Sequence, residues 1–151
     1  MLNVNRNENI EILSYSEVKE VEGYVGNYKV KIEMKPRFVT DECNGCGACA
    51  EVCPTYTTNF FDENLGARKA IDIAFGQAVP FLYDLDKNVC VECFSCIEAC
   101  ELGVIDFSQL PKEVNIEVGS IIIATGWDMY EPFGAYGYGE FENVVTQIQL
   151  E

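Results

Sequence analysis

Two groups of cysteines with identical spacing constrain this chain more than any other feature. Each group follows the pattern C-x2-C-x2-C-x3-C, and together they contain all eight cysteines, Cys43, Cys46, Cys49 and Cys53 in the first group and Cys90, Cys93, Cys96 and Cys100 in the second. In this spacing three thiolates on one tight loop bind three irons of a four-iron cluster, while the fourth points elsewhere. We therefore predict two 4Fe-4S clusters, with these eight thiolates as the metal ligands.

Zinc and disulfides are the alternative roles for these cysteines. A structural zinc site usually takes one C-x2-C pair from each of two places, which leaves the third cysteine of each group without a role. A disulfide between cysteines three residues apart is strained, and the sequence shows no secretory segment that leads to an oxidising compartment. The spacing favours clusters over both, and a zinc-stabilised interaction domain stays open as an alternative function.

Composition limits the classes of partner. The chain has 151 residues, of which 48% are hydrophobic, enough for one compact domain or a small domain inside part of another. Its formal net charge of -15 argues against nucleic acid and anionic membrane surfaces, and either suits basic redox partners or serves solubility alone.

The longest apolar run, near Ile121, is too short to span a bilayer, and there is no basic leader, so the cytoplasm is the expected location.

The sequence contains no histidine, the commonest general acid or base in enzymes. If clusters occupy every cysteine, no thiol is left to act as a nucleophile. We therefore predict no catalytic residue in this chain, and any chemistry beyond electron transfer is expected from another polypeptide.

Alternating apolar and charged residues before the first cysteine group predict a β-hairpin. Its arms are residues 18–21 and 28–34, joined by a turn that carries Gly23, Gly26 and Asn27. A further short strand is predicted at residues 10–13.

The repeat of the cysteine pattern predicts a domain with two similar halves. Cys43 and Cys90 lie 47 residues apart, and each begins a cysteine loop followed by a short helical turn. Between the groups, a loop is predicted at residues 62–66. Alternating residues predict short strands at 81–85 and 104–107, which we expect to pair across the clusters.

After Pro111 the sequence changes character. Residues 114–118 alternate and predict a strand, and the β-branched run Ile121, Ile122 and Ile123 predicts a strand buried on both faces, as in a parallel sheet. The tail, residues 127–151, is rich in glycine and aromatic residues without a regular period and is predicted to be a packed loop, with plain surface structure as the alternative.

The cysteine groups, the first of which closes in Cys53-Pro54, resemble those of bacterial ferredoxins with two 4Fe-4S clusters. The run I-I-I-A-T-G at residues 121–126 looks like the strand and turn near the flavin in proteins related to thioredoxin reductase. Together with residues 11–18 (E-I-L-S-Y-S-E-V) and 23–30 (G-Y-V-G-N-Y-K-V), that run is similar to the A subunit of heterodisulfide reductase. The likeness spans nearly the whole chain.

This resemblance implies an α+β fold in which a two-cluster ferredoxin-like domain interrupts a thioredoxin-reductase-like FAD domain. The expected divisions are 1–35, an N-terminal β-hairpin segment of the flavoprotein domain, 36–112, the two-cluster domain, and 113–151, a C-terminal strand and loop segment of the flavoprotein domain. Gly134, Gly137 and Gly139 lack the spacing and context of the G-x-G-x-x-G turn that holds FAD. FAD is therefore expected only in a full-length parent protein, and we interpret this chain as an excised piece of that protein or as a separately encoded short homologue.

The implied function is to relay electrons between a flavin domain and other iron–sulfur subunits, in an anaerobic complex that reduces a heterodisulfide in methanogenesis. The expected partners are the parent protein's remaining flavin domain together with those iron–sulfur subunits. Nothing in this chain alone covers the strand predicted at 121–123, so an exposed apolar patch and self-association into a homo-oligomer are also expected. A free-standing ferredoxin-like electron carrier is the alternative.

Within the two-cluster pattern we expect crossed ligation. Each trio folds around its own cluster, whereas the fourth cysteine lies further along a helical turn that carries it towards the other half. One cluster is then held by Cys43, Cys46, Cys49 and Cys100, and the other by Cys90, Cys93, Cys96 and Cys53. The alternative is that each group closes its own cluster.

The two cysteine loops differ in sequence. Gly45 and Gly47 let the first loop wrap closely and offer N–H groups to cluster sulfurs, whereas the second loop has Glu92 and Phe94 at the corresponding positions. Two clusters in these loops are therefore expected to differ in reduction potential.

Overall fold

The computed structural model describes residues 2–150 as a mixed α+β fold. In order, its helices and strands are α1 Leu2–Asn5, β1 Ser16–Tyr24, β2 Asn27–Met34, α2 Ala48–Val52, β3 Tyr56–Thr58, a 3-10 helix Phe60–Asp62, β4 Ala67–Lys69, β5 Ile71–Asp72, β6 Asp84–Leu85, α3 Ser95–Ala99, β7 Lys112–Val118 and α4 Gln147–Leu150. No helix within residues 2–150 has the length and apolar character that crossing a membrane requires.

The described chain divides into two compact units. The first unit comprises the residues up to Thr57 together with Arg68–Ile121, and the second comprises Thr58–Ala67 together with the residues from Ile122 onward. All eight cysteines lie in the first unit.

The first unit contains a three-stranded antiparallel sheet with the strand order β1-β2-β7. Tyr24 pairs with Asn27, so the turn between β1 and β2 consists of Val25 and Gly26, and Gly26 adopts a positive φ of 92° that glycine reaches without strain. The predicted hairpin is confirmed, with a first arm that is longer than expected. The strand predicted at 114–118 is confirmed as β7, which pairs with β2.

One face of this sheet is apolar and the other is charged. Val30 and Ile32 are each only 7% exposed, whereas Lys31 between them forms an ion pair of 3.0 Å with Glu113 on β7. This alternation follows from the period of two along a strand, which places successive side chains on opposite faces. The ion pair is exposed and adds little stability, so the apolar face supplies most of the stabilisation of the sheet.

Each cysteine group is followed by one short helix at the same offset. Cys49 lies within α2 and Cys96 within α3, and each helix ends at the fourth cysteine of its group, Cys53 or Cys100, where the backbone becomes extended. The two helices lie against each other. This arrangement confirms the predicted repeat of a cysteine loop followed by a helical turn.

Two short antiparallel pairings join the halves of the cysteine-containing region. Val39, before the first group, bridges with Ile105, after the second group. β5, which lies between the groups, pairs with β6, which leads into the second group, through Ile71 opposite Leu85. Each pairing therefore joins a segment beside one cysteine group to a segment beside the other.

The hydrophobic core of this region is small and is built partly from cysteine. Ala70 and Ile71 are fully buried and Leu85 is 3% exposed. The other buried residues of the cluster are apolar side chains and cysteines, Val39, Cys49, Cys53, Cys96, Val104 and Ile105. Because so few large apolar side chains are buried, the positions of the thiols matter for the stability of this region.

The second unit contains little regular structure. The 3-10 helix begins after Asn59, whose side-chain oxygen accepts a hydrogen bond of 3.2 Å from the N–H of Phe61. Turns follow at residues 63–66, as predicted for the loop at 62–66. In the tail, Tyr138 is 8% exposed and its ring lies 5.0 Å from that of Phe133. The packed loop predicted for 127–151 is thus wrong for much of its length, since most described residues there are exposed and four of them form α4.

Three strand predictions near the cysteine groups are wrong in part or in full. Residues 10–13 form no strand, the strand predicted at 81–85 is reduced to β6, and the one at 104–107 is reduced to a single bridge at Ile105. The segments 81–85 and 104–107, which we expected to pair, do not pair with each other. The alternation at residues 81–83 has another cause, because Phe81 and Tyr83 approach the first cysteine loop.

The strand predicted at residues 121–123 is also wrong. These residues form no strand, and Ile121, Ile122 and Ile123 are 42%, 90% and 81% exposed. A β-branched run forms a buried strand only where neighbouring strands and a covering layer are available, and β7 has already ended at Val118. The exposed apolar patch that the sequence predicted at this position is present.

We predict that Asp84→Asn stabilises the fold near neutral pH. Burial raises the pKa of Asp84, with the guanidinium of Arg68 acting against that shift, and Asp72 lies directly opposite it in the β5–β6 pair. A pKa that is higher in the folded than in the unfolded state means that ionisation of Asp84 costs stability, and the cost appears as the pH rises towards and through the folded value. The variant should gain about 0.2–1 kcal/mol, the scale for like charges across two strands.

Anaerobic urea unfolding at several pH values measures this gain. It should be largest near pH 7 and shrink as the pH falls, and the exposed Asp128→Asn control should show no gain. A loss of stability in Asp84→Asn, or a gain of equal size at every pH, would contradict the explanation.

Candidate iron–sulfur sites

The first cysteine loop is shaped by two residues with positive φ. Gly45 has a φ of 71° and Gly47 a φ of 92°, and α2 begins directly after Gly47. The N–H of Gly45 donates a hydrogen bond of 3.4 Å to Sγ of Cys43. A thiolate at Cys43 is therefore held by the backbone of its own loop.

The second loop follows the same backbone path without glycine. Glu92 has a φ of 53° and Phe94 a φ of 60°, at the positions that correspond to the two glycines of the first loop. The N–H of Glu92 donates a hydrogen bond of 3.4 Å to Sγ of Cys90, which reproduces the bond in the first loop. Positive φ is costly for residues with a Cβ, so the second loop adopts this conformation with local backbone strain.

The eight cysteines are free thiols of unequal exposure, with no disulfide among them. Cys46 and Cys93, at the second position of each group, are exposed. Cys49, Cys53 and Cys96 are buried at 6–8% exposure. Each group thus presents one thiol at the surface and carries its third thiol into the core on a helix.

A cavity of about 260 Å³ collects thiols from both groups. Its lining includes Cys43, Cys46 and Cys49 of the first group and Cys100 of the second. Cys53, the fourth cysteine of the first group, is not among the lining residues and lies in the hydrophobic core with Cys96. Four thiols around one cavity suit a four-iron cluster, which takes one thiolate at each iron.

A single-ion site and a cluster site place different demands on their ligands. Among the residues that the structure describes, no three Cys, Asp or Glu side chains are grouped closely enough to hold a single metal ion. A structural zinc ion needs its ligands at about 2.0–2.3 Å from one centre, whereas a four-iron cluster is bound at its corners.

Burial changes the acidity of the thiols in the core. It raises the pKa of Cys49 to about 12 and also raises the pKa of Cys96. The pKa of the exposed Cys93 is lowered, because the backbone N–H of Ser95, and then its hydroxyl, form hydrogen bonds with the sulfur. Since the thiolate is the form that binds iron, metal binding must displace protons from the two buried thiols.

A lysine lies beside the fourth cysteine of the first group. Nζ of Lys69 donates a hydrogen bond of 2.6 Å to the carbonyl oxygen of Cys53 and stands 3.7 Å from the centre of the Tyr56 ring. Lys69 therefore fixes the backbone at the point where the chain leaves α2.

Two aromatic residues at the first loop were not predicted as site residues. A Cβ on Gly45 would lie 2.5 Å from the ring of Phe81, and a Cβ on Gly47 would lie 3.2 Å from Oη of Tyr83, which also lines the cavity. Burial is the main cause of a raised pKa at Tyr83, and the nearby thiol of Cys49 adds to it. The signal in the sequence is the aromatic alternation before the second group, which has the period of a strand.

Comparisons with known proteins relate the two cysteine groups to an iron–sulfur domain. The sequence pattern of the 4Fe-4S dicluster domain matches residues 42–104. Over the whole chain, identity is 52% to the A subunit of the H(2):CoB-CoM heterodisulfide,ferredoxin reductase of Methanothermobacter marburgensis and 47% to the iron-sulfur A subunit of the CoB--CoM heterodisulfide reductase of Methanocaldococcus jannaschii. The A subunit of the ferredoxin:CoB-CoM heterodisulfide reductase of Methanosarcina acetivorans is 38% identical over 93% of the chain. The chain spans 23%, 23% and 18% of the lengths of these three relatives.

We predict that anaerobically prepared protein is brown and contains about eight iron and eight acid-labile sulfide per chain, as eight thiolates on two four-iron clusters require. Metal and sulfide analysis checks this. Removal of the iron should lower the melting temperature, because ligation contributes to the free energy of folding. Colourless protein with stoichiometric zinc, or an apo form that melts at the same temperature, would contradict the prediction.

Proposed function

From its membership of the heterodisulfide reductase A-subunit family, to which this chain belongs, we propose that it relays electrons through two 4Fe-4S clusters. The relay connects a flavin domain of the parent protein with other iron–sulfur subunits of a heterodisulfide-reducing complex. A 4Fe-4S cluster supplies one-electron transfer at a potential that its protein surroundings set. The residues of this chain bind, orient and shield the clusters.

The cavity lined by thiols from both cysteine groups is the observation that carries the proposal. It supports ligation of one cluster by Cys43, Cys46, Cys49 and Cys100. For the other cluster we propose Cys90, Cys93, Cys96 and Cys53, since Cys53 is absent from the lining of the first cavity and is buried with Cys96.

The helices support the proposal of crossed ligation. The third cysteine of each group lies inside its helix, whereas the fourth lies at the C-terminal end, where the backbone turns to an extended conformation. α2 and α3 lie against each other, so the end of one helix is brought towards the loop of the other group. The pairings of Val39 with Ile105 and of Ile71 with Leu85 hold the halves in this arrangement.

The proposed insertion into a thioredoxin-reductase-like FAD domain is supported by the sheet and by the exposed isoleucines. β7 follows the cysteine-containing region in sequence and pairs with β2, which precedes that region. Ile122 and Ile123 are 90% and 81% exposed, as expected for residues that a flavin domain would cover.

A cytoplasmic location fits eight free thiols, which require a reducing compartment.

Substitution of single cysteines tests the crossed assignment. Cys53→Ser and Cys90→Ser should each remove or alter the same one of the two EPR signals of the reduced protein, because both residues bind the same cluster in the proposal. Cys43→Ser and Cys100→Ser should alter the other signal. If Cys53→Ser alters the signal that Cys43→Ser affects and spares the Cys90→Ser signal, each group closes its own cluster and the assignment is wrong.

We also predict that this chain alone binds no FAD, because it lacks the glycine-rich turn that holds a pyrophosphate. Absorbance and fluorescence after incubation with FAD and gel filtration measure this directly. Stoichiometric FAD retained by the chain would contradict the prediction, and retention by a longer protein that includes the flavin domain is the positive control.

A further inference from the structure

The two cysteine loops have the same backbone but not the same side chains. Gly45 and Glu92 occupy corresponding positions with φ of 71° and 53°, and Gly47 and Phe94 do so with φ of 92° and 60°. The second loop shows that residues with a Cβ adopt positive φ at both positions, at the cost of local strain, although the φ of Gly47 lies 32° beyond that of Phe94. Strain alone therefore does not account for glycine at position 45, where φ is closer to that of Glu92.

The space beside the two glycines is filled by aromatic side chains. A Cβ on Gly45 would lie 2.5 Å and 2.6 Å from two carbons of the Phe81 ring, a separation that real Cβ atoms do not show. A Cβ on Gly47 would lie 3.2 Å from Oη of Tyr83. Phe81 is 46% exposed, so its ring has the first loop on one side and water on the other. We call Phe81 and Tyr83 the aromatic cover.

The second loop is more open to water than the first. Its residues 91–94 are all exposed, with Val91 at 64% and Phe94 at 47%. In the first loop, only two of the corresponding four residues, Asn44 and Cys46, are exposed. The two loops therefore present different barriers to a molecule that approaches from solvent.

We infer that the aromatic cover shields the first cluster site and leaves the second as the site that solvent-borne reagents and external redox partners reach first. This inference rests on the proposed function, in which each loop holds one cluster. The ring of Phe81 lies against Gly45, whose N–H donates to Sγ of Cys43, and Tyr83 lines the cavity that holds this thiol. The equivalent donor in the second loop, Glu92, is exposed.

Shielding also makes the reduction potentials of the two sites differ. Exclusion of water disfavours the extra negative charge that a bound cluster gains on reduction. The cover therefore favours the oxidised state at the first site relative to an open loop.

Loss of the clusters to the neutral chelator 2,2′-bipyridine tests the inference. The probe is added anaerobically to the cluster-loaded protein, and the two EPR signals, assigned with Cys43→Ser and Cys90→Ser, are followed in samples reduced at successive times. In the unmodified chain the second-site signal should decay first. In the double variant Phe81→Ala/Tyr83→Ala the first-site signal should decay several-fold faster, with the second-site rate unchanged.

Two control variants separate shielding from general damage. Tyr83→Phe keeps the ring and should retain the slow first-site decay, and Tyr24→Ala removes a 69% exposed aromatic ring from the hairpin and should change neither rate. Equal decay of both signals in the unmodified chain, an unchanged first-site rate in the double variant, or a Tyr83→Phe rate as fast as that of the double variant would each overturn the inference. Absence of two cluster signals would instead contradict the proposed function.

A second measurement tests the contact between the ring and the loop. Gly45→Ala should lower the iron content of the first site. The double variant Gly45→Ala/Phe81→Ala should regain most of that iron, because the ring that meets the new Cβ is gone. Glu92→Ala should leave the second site loaded, since position 92 already carries a Cβ. Equal iron loss from Gly45→Ala with and without Phe81 would show that the ring is not what requires the glycine.

Discussion

The structure depends on thiols from two distant parts of the chain meeting around a shared space. Cys43 and Cys100 line the same cavity although they belong to different cysteine groups. Around them the buried core is small, and three of its members are themselves cysteines. In so small a core, apolar burial alone leaves little margin of stability, and metal ligation supplies free energy that holds the halves together. The antiparallel pairings of Val39 with Ile105 and of Ile71 with Leu85 then fix the register in which those halves meet.

The same backbone serves two different surroundings. Both loops use two residues with positive φ and one N–H···Sγ hydrogen bond, which is the geometry that the spacing of the cysteines requires. The first loop has glycines at these positions, where the ring of Phe81 occupies the place of a Cβ on Gly45 and the hydroxyl of Tyr83 lies close to that of a Cβ on Gly47. The second loop keeps its side chains and stays exposed. A duplicated motif can thus yield two inequivalent redox sites through packing against a segment outside the motif.

The cysteine pattern allowed the dicluster domain and the helical repeat to be predicted, because metal ligation demands fixed spacing and does not depend on distant context. The hairpin was predictable for a similar local reason, the alternation along β1 and β2. The strand predicted at residues 121–123 failed because a β-branched run does not specify whether a partner strand is present. The roles of Phe81 and Tyr83 were missed because their alternation has the period of a strand, whereas their packing partner, the first loop, lies far away in sequence.

We propose that each cluster is bound by three thiolates of one cysteine group and by the fourth thiolate of the other group. An anaerobic crystal structure of the cluster-loaded chain, with iron located by anomalous scattering, tests this most directly. We predict one cluster bonded to Cys43, Cys46, Cys49 and Cys100, with the ring of Tyr83 beside it, and the other bonded to Cys90, Cys93, Cys96 and Cys53. Bonds from Cys53 to the cluster of its own group, and from Cys100 to its own, would contradict the account.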